Sequence, residues 1–486
     1  MKKYEHAFGK NDIRGIYNED ITEELYYNVG LNFVKWLEEK STEKPADMWI
    51  TVTRDARLHS PALAKALEDG LCDAGVNVVD LGLAPTPIGY YSEAAGLPDK
   101  ITNGNKIISA MIITASHNPS EYNGLKMTFA RQTLNEQQIR EVRDITFANW
   151  TKMPELLSHS VIDYNIIPDY QKDMVERFSN AGKGIKVVVD SANATGGVVA
   201  PELYKELGCE VIELFSEPDG RFPNHHPNPS DEKTLDAIKK AVVENNADLG
   251  IAFDGDSDRI GVIDSSGNAM TGDKLLLIYA LDLIDSCKKS GQKLPTVVSE
   301  VKCSQVLYDT INSTGAHAVM CKTGHGYIKE KMKETGALLA GEMSGHTFFK
   351  DRYYGFDDAV YAGCRIIEIL SKKRKTDPNF QIQDMLKPFD AVYSSSEVRF
   401  PCPNDRKKET LAAFKSAVEK NKNLFGADIK DIVTIDGMRI IFDGGFALIR
   451  QSNTEPVFTL RFEAKNKSQC DQFKNAMISE LELCLK

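Results

Sequence analysis

The stretch that decides the fold class is residues 48–82, MWITVTRDARLHSPALAKALEDGLCDAGVNVVDLG. An apolar run is followed by a polar loop, then by a segment with apolar residues at helical spacing, and then by a second apolar run. This order predicts a strand, a helix and a strand, the unit from which helix-covered parallel sheets are built. The sequence therefore predicts an α/β domain in this part of the chain.

Two later stretches repeat the same plan, and the last hundred residues differ from it. Residues 186–214 and 294–321 each read as strand, turn, helix and strand, whereas residues 432–464 read as strands joined by Asp-Gly and Gly-Gly turns, before a helix from Ser468. The latter pattern is typical of a small antiparallel α+β domain. We predict four domains, three α/β and one α+β, at residues 1–155, 156–265, 266–388 and 389–486.

Composition restricts the class of protein. The 486 residues carry a formal net charge of −11, which argues against broad nucleic-acid binding. The nine cysteines include no pair at C-x-x-C spacing, the first residues lack an apolar leader, and no long apolar run is present. These features predict a cytoplasmic protein with reduced thiols, without a membrane or nucleic-acid partner.

One loop interrupts an apolar strand with reactive side chains. Residues 107–113 read as a strand, and residues 114–127, TASHNPSEYNGLKM, then place Ser116 and His117 in what the pattern predicts to be an exposed loop. An ordinary polar loop explains the pattern about as well as a nucleophilic or phosphate-carrying serine. The G-x-S-x-G pentapeptide of serine hydrolases is absent.

A second loop concentrates carboxylates. Residues 254–259, DGDSDR, follow a strand-like run and alternate Asp254, Asp256 and Asp258 over five positions. Oxygen ligands at this density suit Mg²⁺, although a polar turn is the alternative. A calcium EF-hand loop is excluded, since Arg259 stands at its sixth position and Ser265 at its twelfth.

Two further loops offer grips for a polar ligand. Residues 341–346, GEMSGH, combine a carboxylate, a hydroxyl and an imidazole that can bind sugar hydroxyls, although a helix-capping loop has the same composition. Residues 450–456, RQSNTEP, offer an arginine fork and hydroxyls that suit a phosphate, or an ordinary hairpin. Together the four loops predict phosphoryl transfer on a sugar phosphate.

Seven ordered motifs carry a resemblance to a known family. They are NDIRG (11–15), TASHNP (114–119), FPNHHPNP (222–229), DGDSDR (254–259), KTGHGYIK (322–329), GEMSGHTFFKDRYYGFDDA (341–359) and RQSNTEP (450–456). In this order they resemble the α-D-phosphohexomutase superfamily, most closely its bacterial phosphomannomutase/phosphoglucomutase branch. The resemblance implies a four-domain, heart-shaped enzyme that moves phosphate between O6 and O1 of a hexose through a hexose 1,6-bisphosphate.

The resemblance also implies roles for individual residues. Ser116 is expected to carry the phosphoryl group and to bind Mg²⁺ together with the three aspartates. Residues expected to serve catalysis are Arg14, His117, Lys126, Arg259 and His325, of which Lys126 and His325 are the first candidates for general acid and base. Residues expected to bind substrate are Lys322, Gly324, Glu342, Ser344, His346, Arg450, Ser452, Asn453 and Thr454.

Substrates and alternatives follow from the same resemblance. The expected substrates are the 1- and 6-phosphates of mannose and glucose. Glucose 1,6-bisphosphate or mannose 1,6-bisphosphate is the expected activator. The expected assembly is a monomer or a weak dimer. Phosphoglucosamine mutase is the closest alternative, and a metal-dependent sugar phosphatase or a non-catalytic sugar-phosphate binding protein is more distant. A site that binds the sugar through O3 and O4 is predicted to discriminate weakly between glucose and mannose, which differ only at C2.

Overall fold

The computed structural model describes residues 2–155, 159–452 and 455–486. These residues divide into two compact units. The first contains residues 1–270, 344–347 and 356–381, and the second contains residues 271–343, 348–355 and 382–486.

The first sheet of the first unit is mixed and has the strand order β1-β5-β4-β2-β3-β7, with β6 beside β5. Its strands are β1 (Ile13–Ile16), β2 (Trp49–Arg54), β3 (Asn77–Leu83), β4 (Ile107–Ile113), β5 (Tyr122–Phe129), β6 (Gln132–Thr133) and β7 (Ile162–Asp163). Its helices are α1 (Glu23–Lys40), α2 (Ser60–Asp73), α3 (Thr86–Ala95), α4 (Asp99–Thr102) and α5 (Glu136–Ala148). The strand–helix–strand prediction for residues 48–82 is confirmed by β2, α2 and β3.

Helices α1 and α2 approach each other closely because each carries a glycine at the contact. A Cβ on Gly30 would lie 2.4 Å from the Leu67 carbonyl oxygen, and one on Gly70 would lie 2.1 Å from the Tyr27 carbonyl oxygen. Helix α1 is capped at its N-terminus by Thr22, whose side chain accepts a hydrogen bond from the Leu25 amide. The resulting apolar core covers one face of the first sheet.

The second sheet of the first unit has the order β12-β11-β10-β8-β9. Its strands are β8 (Lys186–Asp190), β9 (Glu210–Leu214), β10 (Leu249–Phe253), β11 (Ile260–Asp264) and β12 (Ala269–Met270). Helices α6 (Ile167–Phe178), α7 (Ala200–Glu206) and α8 (Asp236–Glu244) accompany it. Strands β8, β9 and β10 are parallel, while β10 and β11 are antiparallel.

The third sheet has the order β14-β13-β15-β16. Its strands are β13 (Thr296–Glu300), β14 (His317–Cys321), β15 (Leu339–Gly341) and β16 (Thr347–Phe349). The helices of this part of the chain are α9 (Gly272–Ser290), α10 (Gln305–Ser313), α11 (His325–Thr335) and α12 (Ala359–Arg374). Helix α12 packs against α6 and belongs to the first unit.

The fourth sheet is antiparallel, with the order β17-β22-β21-β20-β19 and β18 also beside β22. Its strands are β17 (Tyr393–Ser394), β18 (Val398–Pro401), β19 (Asp431–Val433), β20 (Met438–Phe442), β21 (Gly445–Gln451) and β22 (Val457–Ala464). Helices α13 (Lys407–Lys420) and α14 (Lys467–Leu485) cover one face of it. Short 3₁₀ helices occur at Lys2–Ala7, Pro45–Asp47, Thr195–Val198, Glu232–Leu235 and Ile382–Ala391.

The first three sheets share one strand order. When four successive strands are taken from each, the order in space is fourth, third, first, second: β5-β4-β2-β3, β11-β10-β8-β9 and β16-β15-β13-β14. The prediction of three related α/β domains and a different C-terminal α+β domain is confirmed. In all three, a chemically distinctive loop joins the third strand to the fourth.

The nine cysteines are free thiols, and seven of them are buried. Within the described parts of the chain, no helix combines the length and the apolar character that a membrane span requires.

Candidate active site

The loop after β4 places Ser116 at the centre of a polar cluster. Ser116 is buried, with 2% of its surface exposed, and its φ of 49° lies in the left-handed region. Its Oγ donates a 2.6 Å hydrogen bond to Asp254 Oδ2 and lies 3.2 Å from His117 Nδ1. Such strain is stored where function requires a fixed geometry. The expectation of an exposed serine is wrong because loop 254–259 covers this residue.

Arg57, after β2, fixes the backbone of the serine loop. The Arg57 side chain donates to the carbonyl oxygens of Ser116 at 3.0 Å, Asn118 at 2.6 Å and Tyr122 at 3.0 Å, and also to that of Pro119. Its Nε donates to Asp55 Oδ2 at 3.0 Å, and the residue is 1% exposed. One buried guanidinium therefore determines the path of the whole loop.

Loop 254–259 fits against the serine loop because its second residue is glycine. A Cβ on Gly255 would lie 2.1 Å from the Ser116 carbonyl oxygen, closer than any real contact. The glycine of the motif DGDSDR thus allows the close approach of the two backbones.

Asp254, Asp256 and Asp258 form a buried carboxylate triad whose oxygens lie within 4.8 Å of one another. Asp256 Oδ1 is buried without a hydrogen-bond partner, whereas Asp256 Oδ2 accepts from Thr86 Oγ1 at 2.5 Å and from Lys126 Nζ at 2.6 Å. An unsatisfied carboxylate oxygen beside two further carboxylates is the donor set of a hard divalent cation. The triad therefore fits a metal ion.

The charges of the triad shift the pKa values of the groups around it. Burial, together with the charges of Asp258 and Asp256, raises the pKa of Asp254 well above its ordinary value. Although burial disfavours its charged form, Lys126 and His346 hold the pKa of Asp258 well below the usual range. Burial likewise disfavours the Lys126 ammonium, but Asp256 and Asp258 raise its pKa well above normal.

Lys126 and Thr86 hold the triad from the first sheet. Lys126, on β5, is 4% exposed, and its Nζ lies 2.6 Å from both Asp256 Oδ2 and Asp258 Oδ2. Thr86, at the start of α3, also donates its amide to the Asp256 carbonyl oxygen at 2.8 Å. These donors orient the carboxylates before any ligand binds.

Two arginines lie at the edge of the cluster. Arg14, on β1, donates from a terminal nitrogen to Asn118 Oδ1 at 2.9 Å. The Arg259 amide donates to Asp254 Oδ1 at 3.1 Å, and its guanidinium Nε lies 3.9 Å from Asp254 Oδ2. Both guanidiniums are therefore beside the loop that carries Ser116. Burial and the charges of Arg259 and Arg14 lower the pKa of His117 to about 2.

Ser344 and His346 reach the same cluster from the loop before β16. Ser344 Oγ lies 3.0 Å from His346 Nδ1, and His346 Nε2 lies 3.3 Å from Asp258 Oδ1 and 4.0 Å from Asp357 Oδ2. Ser230 donates from its Oγ to the Ser344 carbonyl oxygen at 2.8 Å. His346 was expected to bind substrate, and the structure places it against a carboxylate of the triad.

The remaining described candidates belong to the second unit. The Gly324 amide donates to Glu342 Oε1 at 2.7 Å, which ties loop 322–326 to the loop after β15. Lys322 Nζ lies 5.5 Å from the Tyr327 ring centroid, and His325 is the first residue of α11. These contacts bring Lys322, Gly324, His325 and Glu342 into one pair of neighbouring loops.

Arg450, near the end of β21, and Ser452, in the loop that follows, are the described residues that the sequence predicts to bind phosphate. Arg450 Nε donates to Asp436 Oδ2 at 2.8 Å, and the Arg450 side chain is 10% exposed. Ser452 Oγ accepts from the Glu455 amide at 3.2 Å, and Lys407 Nζ donates to the Ser452 carbonyl oxygen at 2.8 Å. Asn453 and Thr454 lie outside the described residues, so their predicted role stays a prediction.

Several residues at these loops were missed by sequence reasoning. Arg57 and Thr86 lie far along the chain from the loops that they hold, and their own surroundings gave no signal. Asp436 stands in an Asp-Gly pair, which indicated a hairpin turn and nothing more. Glu300, the last residue of β13, accepts a hydrogen bond from the Met343 amide. A carboxylate at the end of a predicted strand was the one signal in the sequence that could have indicated this residue.

Comparison with known proteins agrees with this architecture. Models of the phosphoglucomutase/phosphomannomutase family match α/β/α domain I at residues 5–152, domain II at 168–267, domain III at 271–389 and the C-terminal domain at 397–480. A phosphomannomutase/phosphoglucomutase of Pseudomonas aeruginosa is 38% identical over 477 residues, covering 98% of this chain and 95% of the relative. A phosphoglucomutase of Neisseria gonorrhoeae is 36% identical over 485 residues, with coverage of 98% and 96%.

A solved structure gives the same result. The crystal structure of a phosphoglucomutase/phosphomannomutase family protein from Burkholderia thailandensis superposes with a TM-score of 0.86 at 33% identity, covering 98% of this chain and 97% of that one. The fold and the comparisons together define a four-domain mutase, an enzyme that transfers a phosphoryl group within its substrate. The chain belongs to the phosphoglucomutase/phosphomannomutase family. The predicted class, fold and enzyme type are confirmed.

Proposed function

We propose that the chain interconverts hexose 6-phosphates and hexose 1-phosphates of mannose and glucose through a phosphoserine and a hexose 1,6-bisphosphate. The observation that carries this proposal is the 2.6 Å hydrogen bond from Ser116 Oγ to Asp254, the first carboxylate of the triad. A transferable phosphate on Ser116 would lie beside a cation site, two arginines and Lys126. Membership of the family supports the same reaction.

The transfer requires one bond exchange and two proton movements. The phosphorus–oxygen bond to Ser116 breaks as a bond forms to O1 or O6 of the sugar. The attacking hydroxyl gives up a proton to a base, and Ser116 Oγ takes a proton as it leaves. Arg14, Arg259 and Lys126 offer positive charge along this path and stabilise the oxygens of the group in transfer.

Mg²⁺ is the proposed metal, held by Asp254, Asp256 and Asp258 together with an oxygen on Ser116. When bound, it neutralises negative charge on the phosphoserine and the triad, so that an anionic sugar phosphate can approach. The protein prepares for this by fixing Asp256 through Thr86 and Lys126.

General acid and base remain proposals. Lys126 is the proposed acid because its Nζ lies in the same cluster as Ser116, although Asp256 and Asp258 stabilise the ammonium and oppose release of its proton. His325, at the start of α11, is the proposed partner base. His117 and His346 are the other candidates, and both contact the cluster.

Glu342 and Ser344 are proposed to bind the sugar hydroxyls O3 and O4. The phosphate that does not react is proposed to be bound by Arg450, Ser452, Asn453 and Thr454. Lys322 and Gly324 complete the proposed substrate contacts. The bisphosphate has to bind in two orientations that exchange O1 and O6, and O3 and O4 nearly exchange places in that turn. A grip on these two hydroxyls serves both orientations, but it discriminates poorly at C2.

We therefore expect activity on both mannose 1-phosphate and glucose 1-phosphate, with kcat/KM values within about a thousandfold of each other. Coupled assays with four sugar 1-phosphates, including glucosamine 1-phosphate, test this expectation. A trace of glucose 1,6-bisphosphate should activate turnover, since it phosphorylates Ser116. Release of inorganic phosphate without isomerisation would identify a phosphatase instead, and a preference for glucosamine 1-phosphate would identify the closest alternative.

Metal removal gives a separate prediction. Treatment with a chelator should reduce turnover to background, and Mg²⁺ should restore it, because the single ammonium of Lys126 does not offset the charge of three carboxylates and a phosphoserine. Mg²⁺ should also raise the melting temperature of chelator-treated protein, since it binds the folded state. The Asp256→Asn variant is the control, and its melting temperature should respond far less. An equal response in both proteins would place the ion elsewhere.

A further inference from the structure

Asp436 occupies the turn between β19 and β20, beside Arg450 of the segment 450–456 that is proposed to bind phosphate (the phosphate loop). The next residue, Gly437, has a φ of +83°, and a Cβ there would lie 2.1 Å from the Ile449 carbonyl oxygen. The turn is therefore pressed against the end of β21, where Arg450 follows. This packing fixes where the Asp436 carboxylate can point.

A single oxygen of Asp436 serves two loops. Asp436 Oδ2 accepts from Arg450 Nε at 2.8 Å and from the Thr323 amide at 3.1 Å. Arg450 belongs to the phosphate loop, and Thr323 to loop 322–326. The side chains of Arg450 and Asp436 are 10% and 22% exposed, so the charge-assisted bond between them is partly shielded from water.

From Thr323 the hydrogen bonds continue to residues 341–346, which are proposed to bind the sugar (the sugar loop). Thr323 Oγ1 donates to Glu300 Oε2, and Glu300 Oε1 accepts from the Met343 amide at 2.9 Å. Glu300 is fully buried, at 0% exposure. Arg450, Asp436, Thr323, Glu300 and the backbone of the sugar loop thus form one continuous chain of hydrogen bonds.

We propose that Asp436 is a positioning residue that couples the grip on the phosphate to the grip on the sugar. This inference rests on the proposed function, because it assigns Arg450 to a phosphate and the sugar loop, residues 341–346, to a sugar. Asp436 holds the Nε side of the guanidinium, which leaves the edge formed by the two terminal nitrogens for a phosphate. Once a phosphate fixes Arg450, the shared oxygen is fixed as well, and loop 322–326 with it.

The charge of Asp436 makes the proposal testable. A carboxylate behind Arg450 repels any anion that binds there, so it adds nothing to the affinity for a free phosphate. Its benefit arises only when one ligand has to engage both loops. A hexose phosphate and inorganic phosphate should therefore respond differently to removal of Asp436.

The test is Asp436→Ala in the full chain. We expect the KM for glucose 1-phosphate to rise tenfold or more, with kcat within about threefold of the parent value, because Arg450 and loop 322–326 lose the carboxylate that positions them for binding. The inhibition constant of inorganic phosphate should stay within about threefold. Asp436→Asn, which keeps an acceptor oxygen, should raise KM less than Asp436→Ala does. Asp443→Ala is the matched control, since Asp443 lies exposed in the next hairpin and pairs with Lys430 and Lys465.

Hydrogen exchange of the backbone amides measures the coupling in the absence of turnover. Inorganic phosphate should slow exchange of the amides of residues 322–326 in the parent chain, and not in Asp436→Ala. If the substitution weakened the binding of glucose 1-phosphate and of inorganic phosphate equally, Asp436 would orient Arg450 alone, and the proposed coupling would be overturned. An unchanged KM, or no slowing of exchange in the parent chain, would overturn it too. A parent chain without mutase turnover would instead defeat the proposed function. If Asp436→Ala does not fold, the Asn variant and the exchange measurement decide.

Discussion

Replacing Ser116 by alanine should lower kcat by about ten-thousandfold or more, the largest effect that we expect from any single substitution. The proposed mechanism passes every phosphoryl group through Ser116 Oγ, and no other hydroxyl in the loop makes the 2.6 Å contact with Asp254. Steady-state turnover with glucose 1-phosphate measures the effect. Mass spectrometry of the parent chain after exposure to glucose 1,6-bisphosphate should find one phosphoryl group, located on Ser116.

Ser120→Ala is the control for this substitution. Ser120 lies in the same loop, and its side chain is exposed, so its loss should leave turnover near the parent value. If Ser116→Ala kept more than a few per cent of the parent activity, or if the phosphoryl group were found elsewhere, Ser116 would not be the carrier. The distinction separates loss of a hydroxyl from general damage to the loop.

Replacing Arg57 by methionine should have the second-largest effect, on both stability and turnover. The substitution leaves Asp55 without its ion-pair partner and removes a donor from four carbonyl oxygens, one of which belongs to the buried Ser116. We expect the free energy of unfolding to fall by about 3–5 kcal/mol, the usual cost of breaking a buried charge pair. The Ser116 loop should also shift, and a displacement of about 1 Å lowers turnover by about a hundredfold.

Denaturant unfolding and steady-state kinetics measure the two consequences. Arg221→Met is the matched control, because Arg221 also pairs with an aspartate two residues away, Asp219, but its side chain is 72% exposed. Its unfolding and its turnover should match those of the parent chain. If the two variants behaved alike, the hydrogen bonds from Arg57 to the loop would not determine the position of Ser116.

Much of the fold could be predicted because it is recorded in local pattern. Residues 48–82 combine an apolar run, a helical periodicity and a second run, and they form β2, α2 and β3. Residues 186–214 and 294–321 behave in the same way. The order of strands within each sheet could not be predicted from these patterns, since it depends on contacts between segments that are far apart in the sequence.

In the candidate site, too, local features could be predicted from the sequence and features that depend on distant segments could not. Asp254, Asp256 and Asp258 were visible because their spacing is unusual for a turn. The burial of Ser116 was not visible, since it depends on loop 254–259 and on Arg57, neither of which is adjacent in sequence. Asp436 was hidden for a different reason: an Asp-Gly pair already has a complete explanation as a hairpin turn. The sequence shows a side chain's chemistry, but not a second role for it.

The common strand order of the first three sheets bears on how a site of this kind can originate. A supersecondary module copied within one gene brings its connecting loop to an equivalent location in every copy. Each copy can then acquire a separate specialty while its scaffold continues to fold as before. Here the corresponding loops carry the hydroxyl of Ser116, the three carboxylates of residues 254–258 and the carboxylate of Glu342, so one scaffold supports three different side-chain chemistries.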